Sequence, residues 1–182
     1  VKTTDFVLLL LDACGGGVQG RTLLQKRAFF VAQTAGVEAP PDFIAHFYGP
    51  YSPELDTALG DLQALGFVDE NTTGFGAYNS YGFEVRRHDY SLTVDGRAIV
   101  EELKKKYAEE QRKIAAAIER IREAGDPNYF ELSIAAKTYF ILRRKNAPLS
   151  REELIRAGKD LKWNIAEEAL GRAVRFLEKL NL

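Results

Sequence analysis

The apolar residues of this chain fall into stripes of helical period, interrupted once by alternating strand-like segments. The run Phe6–Leu11 is apolar on every side and predicts a buried first helix over Asp5–Cys14, with Thr4 or Asp5 as its cap. A second helix is expected from Arg21 to about Ala35, stopped by Gly36. Leu23, Leu24, Arg27, Phe30, Val31 and Thr34 share one broad side of it, with Phe29 at the edge. Arg27 is the odd member of that side and must either reach outward or meet an acid. Leu55, Leu59, Leu62 and Leu65 form a third stripe. Strand-like residues follow over Phe67–Asn71 and Tyr81–Leu92, separated by a loop rich in Gly, Asn, Ser and Thr. Beyond Thr93, the residues Val100, Leu103, Tyr107, Ile114, Ala117 and Ile121 approximate a heptad seam broken by Glu110, which predicts one long helix from Val94 to Ala124. Three more helices are expected, over Tyr129–Lys145, from Ser150 onward, and over about Ile165–Leu180.

Local signals fix several of these boundaries. Tyr48-Gly49-Pro50-Tyr51 is a bend, because glycine tolerates positive φ while proline fixes its own φ and disfavours helix before it. Ser52 then caps a helix with Pro53 at its first position and Glu54 at the positive end of the dipole. Ser150 with Glu153 forms a capping box. Gly15-Gly16-Gly17 reads as a flexible connector, since the phosphate-loop pattern requires a terminal Gly-Lys-Ser/Thr that is missing. A helix followed by a two-stranded hairpin is the back half of a winged helix. The fold expected is therefore mainly α with a small β-hairpin: a winged-helix-like unit over 1–92, a long amphipathic linking helix over 93–125, and a helix-turn-helix-like unit over 126–182.

The length of 182 residues allows a substantial core, and a net charge of −1 gives no global attraction to nucleic acid or membrane. Any nucleic-acid contact needs a local basic patch. The single cysteine, Cys14, excludes an internal disulfide. The Phe6–Leu11 run is far shorter than the ~20 residues of a membrane span, and no basic leader precedes it, so a cytoplasmic protein is expected.

No enzyme constellation can be assembled. His46 and His88 lie in different elements without partners at metal-ligand spacing, no nucleophile motif is present, and no cofactor, metal or catalytic residue is expected. Two readings remain. For a DNA-binding regulator, the candidate contacts are Arg21, Lys26, Arg86 and Arg87 in the first unit and Arg172, Arg175 and Lys179 in the last. The bland reading of Arg21, Lys26 and Arg27 is solubility and local ion pairs. For a protein-interaction module, the candidates are Asp56 and Asp61 on the third helix and Phe75 and Tyr78 in the aromatic loop. Acidic residues on the helix that would enter a groove work against duplex binding. The seam over 94–124 serves either as a packed strut or as a homodimer interface.

The string Arg21-Thr22 with Leu24-Gln25-Lys26, followed by Phe47-Tyr48-Gly49-Pro50-Tyr51-Ser52-Pro53-Glu54-Leu55, resembles the pattern of YwgA-like proteins. It is also similar to the Panacea domain of SocA-type antitoxins. The resemblance covers roughly residues 5 to 92. It implies a winged-helix-type domain and, from the Panacea group, an antitoxin or adaptor acting by protein contact, and it brings no catalytic residues with it.

Overall fold

A computed structural model describes residues 1–78 and 84–182, without the side chains of residues 78, 84 and 85. The described residues are mainly helical, with two small antiparallel sheets among them. The apolar run forms the middle of α1 (Thr3–Ala13), and all six side chains from Phe6 to Leu11 are buried. α1 can be apolar all round because α3, α4 and α5 surround it. Its N-cap is Lys2 rather than Thr4 or Asp5, and no side chain caps it. The three glycines form a structured turn rather than a flexible connector. Gly15 and Gly16 adopt φ of 88° and 93°, and Gly16 O accepts from Leu92 N at 2.8 Å. Gly17 opens β1 (Gly17–Gln19), which runs antiparallel to β5 (Glu84–Leu92).

α2 (Arg21–Thr34) is buried on more sides than its apolar stripe predicts, because α5, α6, β1 and a second hairpin all pack on it. Arg27 meets an acid, with its Nη2 3.0 Å from Asp126 Oδ1. The bend before Ser52 belongs to that hairpin, in which β2 (Ile44–His46) pairs with β3 (Gly49–Tyr51) across the two-residue turn Phe47–Tyr48.

α3 (Pro53–Ala64) begins where the sequence predicts, with the Ser52 hydroxyl accepting from Leu55 N at 3.2 Å. Leu55, Leu59 and Leu62 are buried, but Leu65 is 64% exposed. The helix ends before it, in a Schellman arrangement: Gly66, at φ 74°, donates to Gln63 O, and Phe67 N donates to Leu62 O. β4 (Val68–Tyr78) and β5 complete a three-stranded sheet in the order β1-β5-β4. β4 extends through much of the stretch expected as loop; the expected strand start at Tyr81 lies outside the described residues.

The helix expected over 94–124 is two helices, α4 (Val94–Lys106) and α5 (Ala108–Glu123), broken at Tyr107 with φ −124° and ψ 46°. The break lets two short apolar stripes both lie on α1 without burying the seam's Glu110. Val100, Leu103, Ile114, Ala117 and Ile121 are consequently buried within the chain. The homodimer expected through this seam loses its support, since the strut use covers the same residues. Gly96 fixes the start of α4, because a Cβ there would stand 2.0 Å from Phe67 O.

α6 (Tyr129–Lys145), α7 (Arg151–Asp160) and α8 (Glu167–Lys179) follow, with the Ser150–Glu153 capping box formed in full. α6 packs on α8 and, from the other side, on α2 and β3. One hydrophobic core therefore crosses the junctions at 92/93 and 125/126.

Candidate functional site

The two sequence motifs, one opening α2 and the other leading into α3, meet in space. The amide of Gln25 is bonded on both sides to the Ser52 backbone: Nε2 donates to Ser52 O at 3.0 Å, and Oε1 accepts from Ser52 N at 2.9 Å. One residue on, Lys26 Nζ donates to Pro50 O at 2.6 Å. Gly49, at φ 104°, lies against two lysines. A Cβ at this position would be 3.1 Å from Lys137 Cγ and 3.4 Å from Lys26 Cε, so glycine serves both the turn and the close approach of the two aliphatic stems.

These lysines are unusual in their surroundings. Lys26 is only 2% exposed, Lys137 is also buried, and neither has an ion-pair partner among the described residues. Burial, reinforced by repulsion from Lys137, lowers the Lys26 ammonium to about 7. Burial alone lowers Lys137, whose Nζ reaches Asn164 O at 3.4 Å. Lys26 is thus no exposed phosphate contact, and the ion-pairing read for it as a surface residue is likewise absent.

Arg21 stands at the opposite corner of the joint. Its Nε donates to the Tyr90 hydroxyl at 2.9 Å, and its guanidinium lies 3.6 Å from Asp56 and 3.8 Å from Glu70. Glu70 also meets His88 Nδ1 at 2.5 Å and accepts from Gln63 Nε2 at 2.9 Å. Burial pushes the Glu70 carboxyl up, but hydrogen bonding to His88, Gln63 and Tyr90 outweighs it and holds the group below its ordinary range. Burial raises the Tyr90 hydroxyl to about 12.

Two hollows open on either side of Arg21, Thr22 and Tyr48. The smaller, about 250 Å³, lies between α2 and the β2–β3 hairpin, with Lys26, His46 and Tyr51 among its walls. The larger, about 560 Å³, is bounded by Phe75, Arg86, Arg87, His88 and Tyr129. Its aromatic rim is exposed: Tyr48 at 69%, Tyr129 at 62% and Phe75 at 56%. Phe47 and Phe130, beside two of them in sequence, are exposed as well. Arg87 is held by Asp89 through two bonds of 2.8 Å and lies 5.9 Å from the Phe75 ring centroid.

The structure therefore gathers Arg21, Arg86, Arg87 and Phe75 around one cleft, with Lys26 buried beside it. Asp56 lies behind Arg21, partly neutralised by it, whereas Asp61 is exposed on the outward face of α3. The Tyr78 side chain lies outside the described residues. Arg172, Arg175 and Lys179 line a separate groove along α8, where Arg172 Nε sits 3.2 Å from Glu131 and Lys179 donates to Ala124 O at 3.2 Å. Sequence reasoning missed Tyr48 and Tyr129 as cleft residues, and it missed Lys137. The last was detectable, because Lys137 shares a helical face with Ile134 and Ile141. Among the described residues no group of three or more His, Cys, Asp or Glu could hold a metal ion, and no described helix is long and apolar enough to cross a membrane.

No family model matches the chain. Over 94 residues, 52% of its length, it is 35% identical to the uncharacterized protein YwgA of Bacillus subtilis strain 168. It spans about half the length of that curated relative, 52%.

Proposed function

We propose that the protein is a non-enzymatic interaction module of winged-helix type, which binds a protein partner through the aromatic-rimmed cleft between Tyr48, Phe75 and Tyr129. The winged-helix reading is supported by the succession α1, β1, α2, α3, β4, β5 and by the sheet order β1-β5-β4, in which β4 and β5 form the wing. In such a domain α3 would enter a DNA groove. Its outward residues Glu54, Thr57, Gly60, Asp61 and Ala64 include no cation, so it has nothing with which to neutralise phosphate. Arg21 and Arg87 each stand beside carboxylates, which lowers the net field they could offer a polyanion.

The observation that carries the proposal is the clustering of exposed aromatic rings at one concave place. Aromatic residues and arginine are the types enriched at interface hot spots, where large rigid side chains fill a partner's pockets at low entropic cost. Arginines set among the rings suit a segment bearing an apolar anchor and a carboxylate. The second reading, duplex binding, is favoured by Arg86 and Arg87 on the wing.

Peptides selected from a displayed random library against the full chain test the proposal. They are expected to carry an apolar anchor near an acid and to lose at least about tenfold in affinity, ~1.4 kcal/mol, with Tyr48→Ala or Tyr129→Ala. Ligands indifferent to both variants, together with duplex affinity that falls steeply with added salt, would replace this reading with the regulator.

A further inference from the structure

The smaller hollow raises a different question, because its electrostatics are unbalanced. An ammonium held out of water costs several kcal/mol unless an anion and further hydrogen bonds offset it. Lys26 has three donors, and the structure gives one acceptor, Pro50 O. Lys137, packed on the same glycine, adds a second cation, and Arg21, on the same helix as Lys26, brings further N–H donors, its charge partly offset by Asp56 and Glu70. Among the described residues no carboxylate lines the hollow; Asp56 and Glu70 approach Arg21, and Asp56 also meets Tyr51, without being among its walls. α2 starts beside the hollow, with Gly20 as N-cap, no side-chain cap and no acid in its own first turn, so its positive dipole end lies near Thr22, one of the hollow's walls. Tyr48 and Tyr51 supply ring surface at the mouth and side.

We propose that this hollow is a binding site for a small oxyanion, a carboxylate or a phosphate, held by Lys26, Arg21 and Thr22 and flanked by the rings of Tyr48 and Tyr51. The anion supplies the charge that the fold withholds from Lys26. Occupancy ties α2 to the β2–β3 hairpin and so to Tyr48, which is shared with the aromatic cleft. The proposal does not depend on what that cleft binds.

Protonation of Lys26 is linked to binding, since an anion favours the charged amine and the charged amine favours the anion. The other groups facing it are Lys137 from α6, Arg21 from α2, His46 from β2, Tyr48 in the turn and Tyr51 from β3, with Asp56 of α3 beyond Tyr51. His46 is a second titratable group in the same walls, so a variant, rather than pH alone, carries the assignment.

The experiment titrates acetate, benzoate and inorganic phosphate separately into the full chain by calorimetry, at constant ionic strength, at about pH 6 and about pH 9. Saturable binding at the lower pH is expected, weakened at least about tenfold at the higher pH and in Lys26→Met. A response to acetate or benzoate alone assigns a carboxylate ligand, and a response to phosphate alone assigns a phosphate. No saturable binding of any of the three at the lower pH overturns the proposal, as does undiminished binding by Lys26→Met. If that variant does not fold, NMR of the wild-type chain carrying ε-¹³C lysine decides. The Lys26 titration must move upward when the anion is added, and an unchanged titration overturns the proposal.

Discussion

α2 and α3 are fastened together by the Gln25–Ser52 bonds, yet the first turns of α2 and the outward face of α3 handle charge in opposite ways. On α3 the carboxylate of Asp61 stands in water, where solvation makes it inexpensive. On α2 the ammonium of Lys26 is held out of water against a backbone carbonyl, next to a second lysine. Charge left on a surface is weak testimony about function. Charge retained inside against its own solvation energy is stronger testimony, because the surrounding fold must supply the free energy that keeps it there.

The largest expected effect tests the buried side of this contrast. Lys26 titrates near 7 in the folded chain and near its ordinary 10.5 when unfolded. Between these values the unfolded chain binds more protons, so stability rises with pH, by up to ~1.4 kcal/mol per pH unit from this group. The cost of the buried charge is fully present below about pH 7 and is relieved toward pH 10. Lys137, lowered in the same direction, adds a contribution of the same sign. Tyr90, raised to about 12, reverses the trend above pH 10, because there the folded chain holds the extra proton. Urea denaturation across this range should show the rise in the wild type and a flattened one in Lys26→Met; an equal rise in both would mean that Lys26 is not the group responsible.

Next in size is the fastening itself. Gln25→Leu removes the acceptor from the buried Ser52 N–H, while Ser52 O keeps its bond from Asp56 N. A loss of about 1–3 kcal/mol is expected, read as a lower urea midpoint with an unchanged slope. A midpoint equal to that of the wild type would show that water serves Ser52 as well as Gln25 does.

The smallest effect belongs to the solvated side. Asp61→Lys should alter stability by less than about 0.5 kcal/mol and leave binding at the cleft untouched. It should also raise affinity for nonspecific duplex at low salt above that of the parent, since it places a cation on a face that had none. A loss of peptide binding in this variant would move the interface from the cleft to α3 and erase the contrast.

What the sequence made legible follows the range of the interactions. The start of α3 depends on Ser52 and Pro53, and that of α7 on Ser150 and Glu153, all within four residues, so both could be read in advance. The stripes of α1 and α3 were equally readable, apart from Leu65, which the Gly66 turn releases to solvent. The break at Tyr107 was not, because it arises from fitting two stripes to the already buried α1. The cleft drew Arg21, Phe75, Arg86 and Arg87 into view as separate candidates. Their convergence with Tyr48 and Tyr129 requires contributions from α2, both hairpins and the start of α6, which no local pattern encodes. Lys26 was read as a surface charge because α2's own periodicity does not reveal that α6 and β3 cover its polar side.

The single tryptophan, Trp163, donates its indole N–H to His46 O in β2 and packs edge-on against Phe140. The C-terminal segment is thereby latched to the same hairpin that walls the lysine hollow. Emission from this one fluorophore consequently serves as a built-in gauge of that hairpin, with no label required: displacement of β2 would free the indole from its carbonyl and alter its fluorescence while the distant sheet stays as it is.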